Sequence, residues 1–246
     1  MQPVITIPSF TAKDERIAHF FGTRHSQFEV TQGVSRVPAL EQSHFRVPAA
    51  FISVKQVHGT DVLVVDRPLL EGQTFDGEWD ALITDQPGVA VTVRTADCVP
   101  VLLHDPVRRV VAAVHAGWRG AVGGIVPKTI AALNRRFGSE AVSLRMAVGP
   151  SAGSCCYEVD EPVLSKLREA FPDWRLVIHG RNGAQKALLD LRELIRRQGL
   201  GSGLLEEAIG VVNACTICHP NLFFSYRREG MVKRTMVSGI ALVPSR

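Results

Sequence analysis

The sequence contains no apolar run approaching the roughly 20 residues that a membrane helix needs. Its opening Met1-Gln2-Pro3-Val4-Ile5 has neither a basic start nor an apolar stretch of export-signal length. A soluble, cytoplasmic protein is the expectation. Cysteine is scarce: five residues, at 98, 155, 156, 215 and 218. An odd count in a chain read as non-secreted argues against a disulfide framework and leaves core packing, metal ligation or nucleophilic chemistry. Histidine is scarce too, with eight residues mostly scattered along the chain. Neither GxGxxG nor a phosphate-loop signature occurs, so a nucleotide cofactor and ATP hydrolysis lack support. Internal repeats and low-complexity tracts are missing, and the Gly-rich Gln198–Gly203 run is too short for a linker. Residues 1–246 are therefore read as one domain.

What is present is an ordinary globular composition, 46% hydrophobic and 21% charged, with 28 Lys and Arg against 24 Asp and Glu. The net charge of +4 is mostly arginine; it suits an anionic small molecule but falls short of a nucleic-acid binder. Arg135-Arg136 and Arg196-Arg197 are read as lying near helix ends, where cations complement the macrodipole.

Short Val-rich segments bounded by Gly, Pro or Asp predict strands over Phe51–Val57, Asp61–Asp66, Val89–Thr95, Val99–His104, Arg109–His115, Val142–Val148, Ala208–Asn213 and Arg234–Val243. Val122, Ile125, Val126, Ile130, Leu133 and Phe137 recur at helical spacing, with Pro127 as the expected start and Gly138 as the stop. Glu161–Ala170 predicts a second helix. A third is expected from the N-cap Asp190, closed by Gly199. Neighbouring strands with few helices between them predict an α+β (mixed α/β) fold of mixed β-sheets flanked by helices.

Three segments place soft or borderline metal ligands at strand ends beside glycine: Lys55-Gln56-Val57-His58-Gly59, Thr95-Ala96-Asp97-Cys98 and Val114-His115-Ala116-Gly117-Trp118-Arg119-Gly120. Two imidazoles and a thiolate suit a catalytic zinc, which keeps three protein ligands and an open position. Each also has a plainer use: Cys98 as a small buried hydrophobe, His58 as a turn residue, His115 as a satisfied core histidine. The glycines, aromatic face and guanidinium directly after His115 favour a ligand pocket.

Lys55–Asp61, Asp80–Asp105, His115–Gly120, Gly149–Val159 and Cys215–Gly230 resemble the signature blocks of the laccase-domain family, first labelled multicopper polyphenol oxidase and now described as purine nucleoside phosphorylase. The resemblance implies that His58, Cys98 and His115 bind zinc and form the catalytic centre. It implies phosphorolysis of adenosine, inosine and methylthioadenosine, and hydrolytic deamination of adenosine, for which a metal that lowers the pKa of water toward neutrality is suited. The partners expected are thus a purine nucleoside and phosphate, with no nucleic acid and no membrane, and a monomer as the default. Arg119 is the first candidate for phosphate, since guanidinium matches its geometry. Arg24 is a second, although the family's Gly-Gly-Val-Ser run behind it is replaced by Ser26-Gln27-Phe28-Glu29. Gln56 and Tyr157 are candidate substrate contacts, and Asp97 is a candidate acceptor orienting a ligand histidine.

Cys155-Cys156 matches a family block. Adjacent residues of extended chain point in different directions, so both are read as pocket-wall residues rather than ligands of one metal. Cys215-Thr216-Ile217-Cys218-His219 has the pattern of a c-type haem attachment and of half a zinc knuckle, but no second pair follows, and it is read as structural. Phe224, Tyr226 and Arg227 are expected near the pocket. Three rival functions use the same residues: a copper-dependent phenol oxidase, since copper is also admitted by these donors; a cysteine hydrolase with Cys98 as nucleophile, in line with amide hydrolysis on cell-wall precursors; and a binding module without turnover.

Overall fold

The structure, a computed structural model, describes residues 4–11, 16–26, 30–36, 50–70, 72–181, 186–231 and 233–244. Met1–Pro3, read above for export, and Gln27–Glu29, read above beside Arg24, lie outside the described residues. The fold is α+β, built of mixed sheets flanked by a few helices.

With strands numbered in chain order, the first six-stranded sheet has the spatial order β1 (Val4–Ile5), β2 (Ile17–Gly22), β15 (Met236–Leu242), β7 (Val89–Thr95), β4 (Ala50–Ser53), β3 (Gly33–Arg36). The second has the order β14 (Ile209–Val211), β10 (Arg145–Val148), β8 (Val99–Asp105), β9 (Val110–Ala116), β6 (Ala81–Thr84), β5 (Val62–Val65). A small third sheet joins β11 (Glu158–Asp160), β13 (Lys186–Leu189) and β12 (Ile178–Arg181). The β4–β7, β5–β6 and β10–β14 pairs are parallel and the other ladders antiparallel.

The two large sheets face each other. Phe21, Ile52, Val91, Val93 and Ile240 of the first interdigitate with Leu82, Leu102, Val111, Ala113 and Ala147 of the second. The opposite face of the second sheet, through Ile83, Val101, Leu103 and Val114, packs on helices α3 (Ile125–Phe137) and α5 (Leu191–Gly201), and α4 (Glu161–Ala170), beside β11 of the third sheet, joins the same core. Strands β8 and β9 are thus buried on both faces, which is why residues 99–103 and 110–114 read as continuous apolar runs without polar alternation.

Several boundaries differ from expectation for identifiable reasons. The segment expected as a strand over Phe51–Val57 leaves the ladder after Ser53, because Lys55–Val57 turn toward the site described below. Val142–Val148 divides into a single-turn helix at Ala141–Ser143 and β10, and Ala208–Asn213 retains only β14 as strand. Helix α3 begins at Ile125 rather than Pro127: Gly124, at φ 78°, supplies the left-handed entry, and proline in the first turn lacks only an N–H that has no helical partner there. Helix α5 does not stop at Gly199. A Cβ on that residue would lie 2.6 Å from Met146 Cε, so the glycine permits close packing on β10. Arg196 and Arg197 accordingly lie within the helix, both paired with Glu193 at 2.7 Å. Arg135 and Arg136 do occupy the last turn of α3. No helix of the described residues is long and apolar enough to cross a membrane.

A candidate metal centre where the two sheets meet

His58 lies on the connection from β4 to β5, Cys98 on that from β7 to β8, and His115 next to last in β9. These three residues, 40 positions apart and then 17 more, each bring one ligand atom to a common point, all within 4.8 Å of one another. The imidazole rings of His58 and His115 meet edge to face, 4.8 Å between centres. His115 is buried, Cys98 half-buried and His58 exposed, so the cluster opens outward on the His58 side.

Asp80, buried immediately before β6, organises the cluster. Its Oδ1 accepts the His58 backbone N–H at 3.0 Å and His115 Nδ1–H at 2.7 Å. Its Oδ2 accepts the backbone N–H groups of Val57 at 3.2 Å and Gly59 at 2.6 Å. Its carbonyl also receives the His115 N–H at 2.7 Å. One carboxylate therefore holds the His58 turn, where His58 itself sits at φ 62°, and aims His115 Nε2 inward. Burial disfavours the Asp80 charge, yet hydrogen bonds from His115, Gly59 and Val57 hold its carboxyl below the usual range. Burial pushes the Cys98 thiol up, but hydrogen bonds and charge from His115 and His58 outweigh it and bring it down to about 6. Burial also disfavours the His115 cation, and the bonds to Asp80 and Cys98 overcome it, raising the group to about 9. An acidic thiol against two imidazoles is a set of groups ready to exchange a proton for a metal ion.

The surroundings leave room for one. A Cβ at Gly117 would lie 2.6 Å from His58 Cδ2 and 3.1 Å from Cys98 Sγ, so only glycine lets both ligands approach from that side. Thiolate and imidazole are the donors that zinc and copper prefer. The three residues fit a metal ion, with Asp80 in the carboxylate–histidine–metal arrangement.

Asp97 does not have that orienting role. At φ 90° it turns its carboxylate away, accepting from Thr216 Oγ1 at 2.5 Å, Ser225 Oγ at 2.9 Å and the Arg227 backbone N–H at 2.7 Å. It thereby ties the C-terminal segment beside Cys98. Gln56 gives both polar atoms to the Arg94 backbone, at 2.8 and 2.9 Å, extending the sheet by one side-chain rung and tethering the His58 turn. Arg24 lies over the Phe224 ring and donates to the Pro220 carbonyl, against the C-terminal loop. Arg119 is exposed, its guanidinium 4.4 Å from the Trp118 ring centre in the short helix α2 (Trp118–Val122). Tyr157 is 9% exposed, with the Arg227 guanidinium 5.0 Å from its ring centre. Burial first, then the negative charge of Cys98, pushes its hydroxyl up to about 12, against opposing influences of Arg227 and Arg119. Phe224 is half-buried and Tyr226 is 61% exposed, on α6 (Tyr226–Glu229).

Sequence reading missed Asp80. It stands among other carboxylates with no local pattern, and its importance comes from partners at 57–59 and 115 that only the tertiary fold brings to it.

A family model described as multi-copper polyphenol oxidoreductase laccase matches residues 23–243. A protein from Bacteroides thetaiotaomicron named purine nucleoside phosphorylase is 30% identical over 230 residues, covering 92% of this chain and 85% of that one. One so named from Clostridium acetobutylicum is 37% identical over 198 residues, covering 76% of this chain and 75% of its own. The crystal structure of YlmD from Geobacillus stearothermophilus superposes with a TM-score of 0.79 at 28% identity, covering 99% of this chain and 97% of that one.

Proposed function

Since the chain belongs to the multi-copper polyphenol oxidoreductase laccase family, we propose that it is a zinc-dependent purine nucleoside phosphorylase that also deaminates adenosine. The observation that carries this reading is the convergence of His58, Cys98 and His115 on one point, backed by Asp80. Relatives named purine nucleoside phosphorylase support the activity. Adenosine, inosine and methylthioadenosine are the proposed nucleosides.

His58, Cys98 and His115 would hold the zinc, which when bound supplies Lewis acidity and the means to acidify water. Asp80 keeps the His115 proton on Nδ1, leaving Nε2 free to ligate. Arg119, in the short helix that follows His115, and Arg227, whose guanidinium lies 5.0 Å from the Tyr157 ring centre, are the proposed phosphate contacts, and the Tyr157 ring the proposed wall against the purine. In phosphorolysis a phosphate oxygen bonds to C1′ while the C1′–N9 bond breaks. The electron pair leaves with the purine, which takes up a proton, giving free base and ribose-1-phosphate. In deamination the oxygen of water bonds to C6 and ammonia leaves.

Copper-dependent phenol oxidation is the second reading, since the same donors bind copper more tightly than zinc. Against it, the described residues contain a single group with imidazole that could hold a metal, enough for one copper and not several. Incubating zinc-loaded protein with adenosine, with and without phosphate, tests the proposal. Adenine and ribose-1-phosphate are expected only with phosphate, and inosine in either case. Absence of all three overturns it. Undiminished turnover by metal-free protein, abolished by alkylation, would instead identify Cys98 as a nucleophile.

A further inference from the structure

The four remaining cysteines converge as well. Cys155 and Cys156 are not in extended chain, as expected from sequence, but in a tight turn in which the N–H groups of Cys156 and Tyr157 both reach the Gly153 carbonyl at 2.9 Å. Adjacent side chains of a turn can face one point, which alternation in a strand forbids. Cys215 and Cys218 begin and end a second turn, clamped to the first by a bridge between Ser151 and Cys215. The sulfur atoms of Cys155, Cys156, Cys215 and Cys218 all lie within 4.8 Å of one another, and Cys218 stands 3.5 Å from Cys155 and 3.2 Å from Cys156. The Cys-Cys pair thus supplies the second half that the Cys-x-x-Cys segment lacks.

We propose that Cys155, Cys156, Cys215 and Cys218 form a second metal site, a four-thiolate zinc centre that is structural and separate from the His58–Cys98–His115 cluster.

Four sulfurs around tetrahedral zinc, with bonds of about 2.3 Å, stand roughly 3.8 Å from each other, within the spread of separations here. The surroundings suit thiolates. Gly153 N–H donates to Cys215 Sγ at 3.3 Å, and main-chain groups of Ile217 and Cys218 point at the same sulfur. Such bonds orient and stabilise metal thiolates. Zinc with four thiolates carries two negative charges, and two guanidiniums flank the turn. Arg192, mostly buried, donates to the Ala214 carbonyl at 3.0 Å, and Arg228 donates to the Thr216 and Ile217 carbonyls at 2.7 and 3.0 Å. Gly153 packs closely here: a Cβ there would lie 3.0 Å from Arg192 Nη2 and 3.1 Å from Cys215 Cβ. Unlike the first cluster this set has four protein ligands and no position left for a reactant, the mark of a structural site. Its effect would be to lock the turn leading to Tyr157 against the segment leading to Arg227. Metal binding releases the thiol protons and changes no oxidation state.

The test is metal content of the untagged full chain purified under reducing conditions, for wild type, a Cys98→Ala/His115→Ala variant and a Cys155→Ser/Cys218→Ser variant. Two equivalents of zinc are expected in wild type and one in each variant. Cobalt titration of the metal-free Cys98→Ala/His115→Ala protein should give the strong near-ultraviolet absorption of thiolate-to-cobalt charge transfer, which keeps the test sound if the serine variant fails to fold. One equivalent in wild type with none in the 98/115 variant, no thiolate–cobalt absorption, or a native mass lowered by the hydrogens lost to disulfides overturns the proposal. Should the first cluster bind no metal, wild type and the 98/115 variant would both hold one equivalent, so the two sites fail separately.

Discussion

Asp80→Asn is the most informative change near the first cluster, because each carboxylate oxygen serves two donors. Oδ1 receives His58 N–H and His115 Nδ1–H, while Oδ2 receives Val57 and Gly59 N–H. An asparagine keeps one acceptor oxygen and sets an NH2 against the other donor pair. If the NH2 faces His115, the ring must present Nδ1 as acceptor and place its proton on Nε2, where it blocks ligation. If it faces Val57 and Gly59, the His58 turn loses its anchor. In the first case the His58 N–H loses its acceptor and in the second the Val57 and Gly59 N–H groups do, at about 1–3 kcal/mol each, which the exposed His58 turn can partly relieve by moving. A loss of about 2–4 kcal/mol in stability is expected, with zinc affinity lower by 10–100-fold, the usual consequence of removing the partner of a metal-bound histidine. Urea unfolding of metal-free protein gives the first quantity and competition with a chromophoric chelator the second. Zinc affinity within twofold of wild type would refute the role given to Asp80.

Gly117→Ala forces His58 and Cys98 apart, and because His58 can swing into solvent the cost falls on the metal: zinc affinity should drop at least about tenfold while the thermal midpoint of metal-free protein moves little, as read by chelator competition and calorimetry. Arg119→Ala should raise KM for phosphate about tenfold with a smaller effect on kcat, and Arg119→Lys should restore only part; an unchanged KM in steady-state assays removes Arg119 from the phosphate site. His19, in the first sheet, accepts the Ile7 N–H at 2.9 Å on Nε2, and burial lowers its pKa to about 4. The unfolded chain takes up a proton near pH 6.5 that the folded chain refuses until about 4, so stability is full above that upper value and falls by about 3 kcal/mol as pH drops through the window. His19→Gln, which cannot titrate, should flatten this part of the urea-midpoint profile; an unaltered slope would contradict it.

The strands richest in Val were legible because burial on both faces leaves an unbroken apolar signature, as in β8 and β9. Those missed are short or interrupted: β6 is four residues, and β2 carries His19 in its middle. Helix ends misled where glycine serves packing, at Gly199, rather than termination. The three metal-binding candidates could be chosen from residue type and glycine neighbours. Asp80 could not, since its partners are 21 to 35 positions away in sequence. Gln56 and Asp97 likewise could not be separated from substrate or histidine contacts, because their true partners, Arg94 and the 216–227 segment, are 38 and over 100 positions distant. The four-cysteine cluster was hidden by an assumption of extended chain at Cys155-Cys156.

His58 and Cys98 lie on the two crossings by which the chain passes from the first large sheet to the second, and His115 belongs to the second sheet alone. An ion held by all three is therefore a rivet through a laminate. Any slip of one layer over the other changes the distances around it, and the ion in turn resists that slip. Shaving a side chain such as Leu102 from the interior between the layers, far from any reactant, would loosen the rivet, so the tightness of the hydrophobic filling sets how sharply the ion's surroundings are defined.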